Sequence, residues 1–415
     1  MASDPTLGEA ERLFLEALRC GIAGAPVPWT EPPELSAQKV LAHLARGQLL
    51  QPLIVQALFP CPALADSPVL AAMEREARLV VQRQATRTAE FLLLLRQLEE
   101  RGLHPVVLKG AVCRSLYPEP EQRPSTDEDL LIDPKELARW HRELLACGLR
   151  LLGSEEPEEE GYELTYVDPD RDLYLELHLR LFKPDSDVCG DFNRFFEGAL
   201  SRRVSMRLYG QALETLCPTD HLLYILGHAY KHLLYGGVGV RQLCDICLFA
   251  NRYAGEIDWT SFRRACEEMG ILTLAAAVFR FGERRLGVPV PACFADLDPD
   301  EEPLLMDCLT GGLYGANDPD RSHSISLTLD AVAADKQGRR TRGLLRALFP
   351  TAASLEGRYP YLRKRPALLP AAWAQRLWHY ARSRGKSPKQ SIQIGRERIA
   401  LLERYGLITH GKEEV

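Results

Sequence analysis

The hydrophobic period of the sequence changes near residue 103. Before it, segments such as "SAQKVLAHLARGQL" place apolar residues three and four apart, which is the spacing of an amphipathic helix. After it, "HPVVLKG" is a short β-branched run closed by glycine, which is typical of a buried strand ending in a tight turn. The pattern predicts an α/β unit that follows a helical region.

Three further strands are predicted in the same unit, at "DEDLLID", "YELTYVD" and "RDLYLELHLRLF". From Pro218 onward the helical period returns, with Thr219 or Asp220 as the expected N-cap. We therefore expect an α+β protein with a small mixed β-sheet core and extensive helical N-terminal and C-terminal regions. The expected divisions are a helical region at 1–103, the α/β core at 104–185, a helical lid at 186–330 and a basic helical region at 331–415.

Composition excludes some classes of protein. The 415 residues carry a net charge of -6, which gives no global argument for nucleic-acid binding. The first residues lack a basic segment followed by an apolar one, and the most apolar run, "AEFLLLLRQL", is shorter than the roughly 20 residues that cross a bilayer. We expect a cytoplasmic protein with no membrane span.

The eleven cysteines are scattered, mostly on apolar helical faces, which suits reduced buried thiols better than a disulfide framework. Cys244 and Cys247 have CxxC spacing, so a zinc or redox role is an alternative to two buried thiols on one helix face.

The C-terminal region is basic. Between Lys336 and Arg404 there are seventeen Lys or Arg and three acidic residues, with aromatic residues interleaved. This pattern suits a surface for nucleic acid, a phosphorylated ligand or an acidic membrane face, and the alternative is a set of solvated helix faces.

Three acidic residues begin the second predicted strand, in "RPSTDEDLLID". Residues two apart on a strand share a face, so Asp127 and Asp129 should project together while Glu128 points away. Two adjacent carboxylates repel unless a cation lies between them, and magnesium binds one or two carboxylates together with phosphate oxygens. The alternative is an acidic turn without a metal.

Cationic residues and a third acid lie near this pair in the predicted unit. Lys109 and Gly110 close the first strand before a short helix, and Arg123 precedes the second strand, so an anionic phosphate could bind there.

On the last strand Glu176 shares a face with Tyr174 and His178. Glu176 either pairs with an arginine or completes a set of three carboxylates for two-metal nucleotidyl transfer.

His228 and His232 are four residues apart on one predicted helix, which is the spacing of a two-histidine metal pair. The alternative is that His228, Lys231 or His232 line a nucleotide or acceptor pocket. Asp245 is expected to pair with one of these histidines or with Arg241.

Several segments together resemble a known family: "VLKGAVCRSLYPEPEQRPSTDEDLLI", "LELHLRL", "CPTDHLLYILGHAYKHLLYGGVGVRQLCDICLF" and "LFPTAASLEGRYPYLRKRP". They resemble the bacterial family known only as uncharacterised nucleotidyltransferases, within the superfamily that includes DNA polymerase beta. The resemblance extends over about residues 103–370. Two departures from the superfamily pattern are Lys109-Gly110, where Gly-Ser is usual, and Glu128, where an aliphatic residue is usual.

The resemblance implies a nucleotidyltransferase core and in-line attack of an acceptor hydroxyl on the α-phosphorus of an NTP. Asp127 and Asp129 would coordinate both metal ions, Mg²⁺ or Mn²⁺, and Glu176 would complete the second site and act on the acceptor hydroxyl. The acceptor would be a small molecule, a glycan precursor, a peptide or a protein. Lys109, the Gly110 backbone and Arg123 would hold the triphosphate.

Two other functions stay open from the sequence. One is a catalytically inactive nucleotide-binding or scaffold protein with the same fold. The other is an RNA-acting nucleotidyltransferase, for which the basic C-terminal region is the support.

Overall fold

A computed structural model describes residues 7–153, 156–157, 161–184, 186, 191–313, 328–329, 331–332, 352–355, 359, 361–382 and 388–408. Within these residues, helices surround a seven-stranded mixed sheet. The predicted α+β class is confirmed.

The strands are β1 (Val106–Val107), β2 (Glu128–Leu131), β3 (Arg150–Leu151), β4 (Glu163–Asp168), β5 (Leu173–His178), β6 (Val204–Leu208) and β7 (Gln211–Thr215). Their order across the sheet is β3-β4-β5-β2-β1-β7-β6. Strand β2 is parallel to β5 and antiparallel to β1, and β1 is parallel to β7. The short central strands β1 and β2 are buried on both faces, and the acidic residues lie where β2 begins.

The sequence predicts four of these strands and misses three. Strand β3 has only two residues, and β6 is mostly exposed, so neither presents an alternating apolar pattern. The β6–β7 hairpin pairs antiparallel and extends the sheet beyond β1. Two strands therefore lie within the segment 186–330, for which only helices were expected.

The helices before the sheet are α1 (Glu9–Ile22), α2 (Leu35–Gly47), α3 (Gln51–Leu58) and α4 (Pro68–Glu100). Helix α4 begins at a capped serine, because the Ser67 hydroxyl accepts from the Leu70 N–H at 3.1 Å. Gly102 follows the end of the helix, and its φ of 72° is the left-handed conformation expected of a C′ glycine. The chain then enters β1.

Within and after the sheet the helices are α5 (Lys109–Arg114), α6 (Leu137–Ala146), α7 (Pro218–Tyr235), α8 (Val240–Arg252), α9 (Trp259–Glu268), α10 (Leu272–Phe281) and α11 (Glu302–Gly311). Further helical segments are Ala352–Leu355, Tyr361–Lys364, Leu369–Arg382 and Pro388–Arg404. Helix α7 has Cys217 as its N-cap rather than the predicted Thr219 or Asp220, because Pro218 occupies the first helical position, where its missing N–H is tolerated.

Buried apolar side chains from the N-terminal helices, the sheet and α7 to α11 form one continuous core. Helix α7 is buried along most of its length, and at its C-terminal end Arg398 donates to the Leu233 carbonyl at 2.5 Å. That contact ties the segment Pro388–Arg404 to the helix that covers the sheet. In the described part of the chain, none of the helices combines the length and the apolar character that a bilayer span requires.

Candidate active site

The parallel pairing of β2 with β5 brings two acidic residues side by side. Asp129 pairs directly with Glu176 in the register of the two strands. With His178, two residues along β5, they form a group whose potential ligand atoms all lie within 4.8 Å of one another. His178 was not among the site residues predicted from the sequence, although its position two residues after Glu176 places it on the same face of the strand.

Lys109 is the first residue of α5 and lies at the end of β1. Its Nζ donates to Asp129 Oδ1 at 2.7 Å and to His228 Nε2 at 3.1 Å. Burial would lower the pKa of the ammonium, but the nearby negative groups, of which the Asp129 carboxylate has the largest effect, together outweigh burial and raise that pKa well above its ordinary value. Lys109 is therefore a buried, charged partner of Asp129.

Asp129 is fully buried and its two carboxylate oxygens differ in their surroundings. Oδ1 accepts from Lys109 and lies 3.0 Å from His178 Nε2, whereas Oδ2 has no hydrogen-bond partner among the described residues. Burial would raise the pKa of this carboxyl, but Lys109 and His178 hold it well below its ordinary value. Asp129 is thus ionised, with one oxygen left over for another cation.

Glu176 and His178 complete the group on β5. His178 Nε2 lies 3.7 Å from Glu176 Oε2. The nearby imidazole of His178 lowers the pKa of Glu176, but burial and the Asp129 charge together outweigh it and raise that pKa. Burial lowers the pKa of His178, but the two carboxylates outweigh burial and raise it. The proposed third carboxylate therefore lies beside Asp129, as two-metal transfer would need.

Asp127 lies just before β2 and is half buried. Its Oδ1 is 3.3 Å from the Thr126 hydroxyl, and it lines the cleft next to Lys109 and His228. Asp127 is not part of the compact group that contains Asp129, Glu176 and His178.

Glu128 points away from the two aspartates, as expected, but its side chain does not face solvent. It is buried and forms an ion pair of 2.6 Å with the fully buried Arg114 of α5. Its position between two inward-facing aspartates does direct it to the other face of the sheet, but α5 covers that face. A Cβ at Gly110 would lie 2.7 Å from Glu128 Oε2 and 3.2 Å from the Asp127 carbonyl oxygen, so this close approach requires glycine.

Arg123 and Asp245 form a buried ion pair, which corrects the expected pairing of Asp245 with a histidine or Arg241. Arg123 donates to both Asp245 oxygens, at 2.6 Å and 3.1 Å, and the Tyr117 hydroxyl donates to the same carboxylate at 2.8 Å. Arg241 instead donates to the Pro124 carbonyl. The pair joins the loop before β2 to α8, and Arg123 still lines the pocket around Asp129.

Helix α7 forms the wall opposite the carboxylates. The ring centroids of His228 and His232 are 4.3 Å apart, and Lys231 Nζ lies 5.6 Å from the centre of the Tyr162 ring. Burial, assisted by Lys109, lowers the pKa of His228 well below its ordinary value and that of His232 to about 3. Both imidazoles are therefore neutral at pH 7.

The cleft has two parts that share Lys109, Asp127 and His228. The inner part reaches Gly110, Arg123 and Asp129. The outer part, with a volume of about 360 Å³, is lined by Glu163, Glu176, Lys231 and His232. The structure thus brings together around one cleft all the residues that the sequence proposed for metal and nucleotide binding.

Other predicted features lie elsewhere. Cys244 and Cys247 are buried in α8, and neither they nor His228 and His232 belong to a group of three potential metal ligands in the described ranges. The basic region 331–415 lies partly outside the described residues. The nucleic acid or phosphorylated partner predicted for that region stays a prediction.

Comparison with known proteins adds one finding. A family model described as an uncharacterised nucleotidyltransferase matches residues 36–287, which is more than half of the chain. The matched region contains the whole sheet and helices α7 to α10. No curated protein and no solved structure matches the chain.

Proposed function

Because the chain belongs to the uncharacterised nucleotidyltransferase family, we propose that it transfers a nucleoside monophosphate from an NTP to an acceptor hydroxyl. The acceptor oxygen forms a bond to the α-phosphorus, the bond to the β-phosphate oxygen breaks, and pyrophosphate leaves. The observation that carries the proposal is the direct pairing of Asp129 with Glu176 at the cleft, next to Asp127 and Lys109.

The donor set fits a divalent cation. Asp129 Oδ2 is a buried carboxylate oxygen without a partner in the described ranges, and such an oxygen is costly to bury unless a cation or donor satisfies it. Asp127, Asp129 and Glu176 would hold Mg²⁺ or Mn²⁺. When bound, the metal would neutralise charge on the phosphates and on the attacking and leaving oxygens.

The cations of the cleft hold the triphosphate. Lys231 is the best placed, because it lines the outer part of the cleft and has no ion-pair partner among the described residues. Lys109 is paired with Asp129, and Arg123 is paired with Asp245, so both act mainly by making the inner part of the cleft less negative. His228 and His232 present neutral rings beside the nucleotide.

Glu176 receives the proton of the acceptor hydroxyl. Its side chain is 28% exposed, whereas Asp129 is fully buried, so an acceptor can reach Glu176 from the outer part of the cleft.

Nucleotide binding tests the proposal without knowledge of the acceptor. We expect non-hydrolysable analogues of one or more of the four NTPs to bind the wild-type protein in the presence of Mg²⁺ or Mn²⁺, as measured by calorimetry. Lys231→Ala should weaken binding roughly tenfold, since it removes a charge-assisted contact. The matched control is Lys135→Ala, an exposed lysine outside the cleft. Equal affinities for the two variants would contradict the assigned role of Lys231.

A further inference from the structure

We propose that His178 is a nitrogen ligand of the catalytic metal, and that this ligand makes the site select Mn²⁺ over Mg²⁺. The inference rests on the proposed function, because it concerns the same carboxylates. It adds a ligand outside the set of three acidic residues and states which metal that ligand favours.

The first support is the position of the His178 ring. Its Nε2 points at both carboxylates, 3.0 Å from Asp129 Oδ1 and 3.7 Å from Glu176 Oε2. The residue is only 2% exposed, so the ring has little freedom to turn away. One atom from each of these three residues fits within 4.8 Å of the others, which is compact enough for all three to bind one ion.

The second support is the other ring nitrogen. His178 Nδ1 is buried and has no hydrogen-bond partner in the described part of the chain. Glu163 pairs with His178 across β4 and β5, and its Oε2 lies 4.0 Å from Nδ1. Metal-bound histidines typically donate their second N–H to a carboxylate, which fixes the tautomer and the ring orientation.

Glu163 is itself held in place for that role. The Tyr162 hydroxyl donates to Glu163 Oε1 at 2.8 Å, which leaves Oε2 facing His178. With a metal at Nε2, the imidazole carries its remaining proton on Nδ1, and a small movement of Glu163 makes the hydrogen bond to it. The unpartnered Nδ1 is therefore explained by the metal-bound arrangement.

The ligand type sets the metal preference. Mg²⁺ takes oxygen ligands in near-ideal octahedral geometry, whereas an imidazole nitrogen suits first-row transition ions. A site with two carboxylates and one imidazole should therefore bind Mn²⁺ more tightly than Mg²⁺, by roughly tenfold or more.

Electron paramagnetic resonance of Mn²⁺ tests this directly, because spin-echo modulation from ¹⁴N appears only when a nitrogen is bound to the ion or very near it. We expect the wild-type protein to bind Mn²⁺ and to show ¹⁴N modulation. In His178→Gln, which offers an oxygen instead, the modulation should disappear, and the preference for Mn²⁺ over Mg²⁺ should fall roughly tenfold. His232→Gln, which removes a histidine of α7 that lines the outer part of the cleft, should keep the modulation.

A second variant covers the case in which His178→Gln does not fold. Glu163→Gln changes a half-buried side chain and should weaken Mn²⁺ binding roughly tenfold while the ¹⁴N modulation stays. Mn²⁺ bound to wild type without ¹⁴N modulation would overturn the role of His178 and leave the carboxylate site intact. No Mn²⁺ or Mg²⁺ bound at all, with or without NTP, would instead contradict the metal site of the proposed function.

Discussion

Asp129 accepts a hydrogen bond of 2.7 Å from Lys109, and the pair is buried at the centre of the cleft. The ammonium supplies one positive charge next to a group that also includes Glu176 and His178. A single lysine does not balance two carboxylates, so the site keeps an excess of negative charge. A divalent cation bound there would neutralise it.

Removing the proposed base should abolish transfer and leave the fold intact. Glu176→Gln keeps the shape of a partly exposed side chain, so we expect a loss of at least about 100-fold in pyrophosphate release with little change in the free energy of unfolding. The matched control is Asp133→Asn, two residues beyond β2, where asparagine can still cap the following turn. Equal activity in Glu176→Gln and the control would contradict the role of Glu176.

Removing Lys109 should destabilise the protein. In Lys109→Met the buried Asp129 carboxylate loses its cation, so we expect about 3 kcal/mol less free energy of unfolding, measured by urea denaturation. Divalent cations should recover part of this stability and raise the melting temperature more in Lys109→Met than in wild type. Lys135→Met is the exposed control. A Lys109→Met protein as stable as wild type and insensitive to Mn²⁺ would contradict this account.

The Arg123–Asp245 pair should behave as a structural link between the loop before β2 and α8. We expect Asp245→Leu to lower the free energy of unfolding by about 3–5 kcal/mol, because it leaves the Arg123 guanidinium buried without a counter-ion. The double variant Arg123→Met with Asp245→Leu should recover most of that loss. A double variant that is less stable than Asp245→Leu would show that Arg123 has an independent stabilising role.

Acid should destabilise the protein through His221. Burial lowers the pKa of this histidine to about 3, and its ring stacks on Phe249 with centroids 4.9 Å apart. The unfolded chain binds the proton near the ordinary histidine pKa, whereas the folded chain binds it only near pH 3. The free energy of unfolding therefore keeps its full contribution from the neutral His221 above the ordinary pKa and decreases as the pH falls from there toward about 3. The slope from this one group is at most about 1.4 kcal/mol per pH unit.

The variant His221→Phe keeps an aromatic ring against Phe249 and removes the titrating group. Urea denaturation at several pH values from about 7 down to about 4 should show a shallower loss of stability in the variant than in wild type. If the free energy of unfolding fell equally steeply with pH in the variant and in wild type, the acid sensitivity would belong to other groups.

Much of the fold could be predicted from the sequence, because its elements carry clear local patterns. Strands β1 and β5 are apolar or alternate, and α4 ends at a glycine with positive φ. Strand β6 could not be found this way, because its residues are mostly exposed and it is held by backbone pairing with β7. The hydrophobic period of a strand reflects which of its residues are buried. An exposed edge strand buries few residues, so its sequence shows no clear period.

The acidic residues of the site could be predicted from the sequence more readily than the residues that pair with them. The spacing of Asp127 and Asp129 and the position of Glu176 on an apolar strand were local signals. The partners of Glu128 and Arg123 depend on contacts with α5 and α8, since a residue's face on a strand does not reveal which helix covers it. For Asp245 the sequence offered several nearby cations, and only the tertiary packing selects Arg123.

The fate of the label from two forms of the same nucleotide distinguishes nucleotidyl transfer from transfer of the γ-phosphoryl group. The wild-type protein is incubated with an extract of its own cells, Mn²⁺ or Mg²⁺, and each NTP labelled at either the α- or the γ-phosphate. We predict that an acceptor becomes labelled from the α-phosphate, that γ-label leaves as pyrophosphate, and that Glu176→Gln abolishes both. Label transferred from the γ-phosphate to an acceptor by the wild-type protein but not by Glu176→Gln, or no metal-dependent transfer from any of the four NTPs, would contradict nucleotidyl transfer.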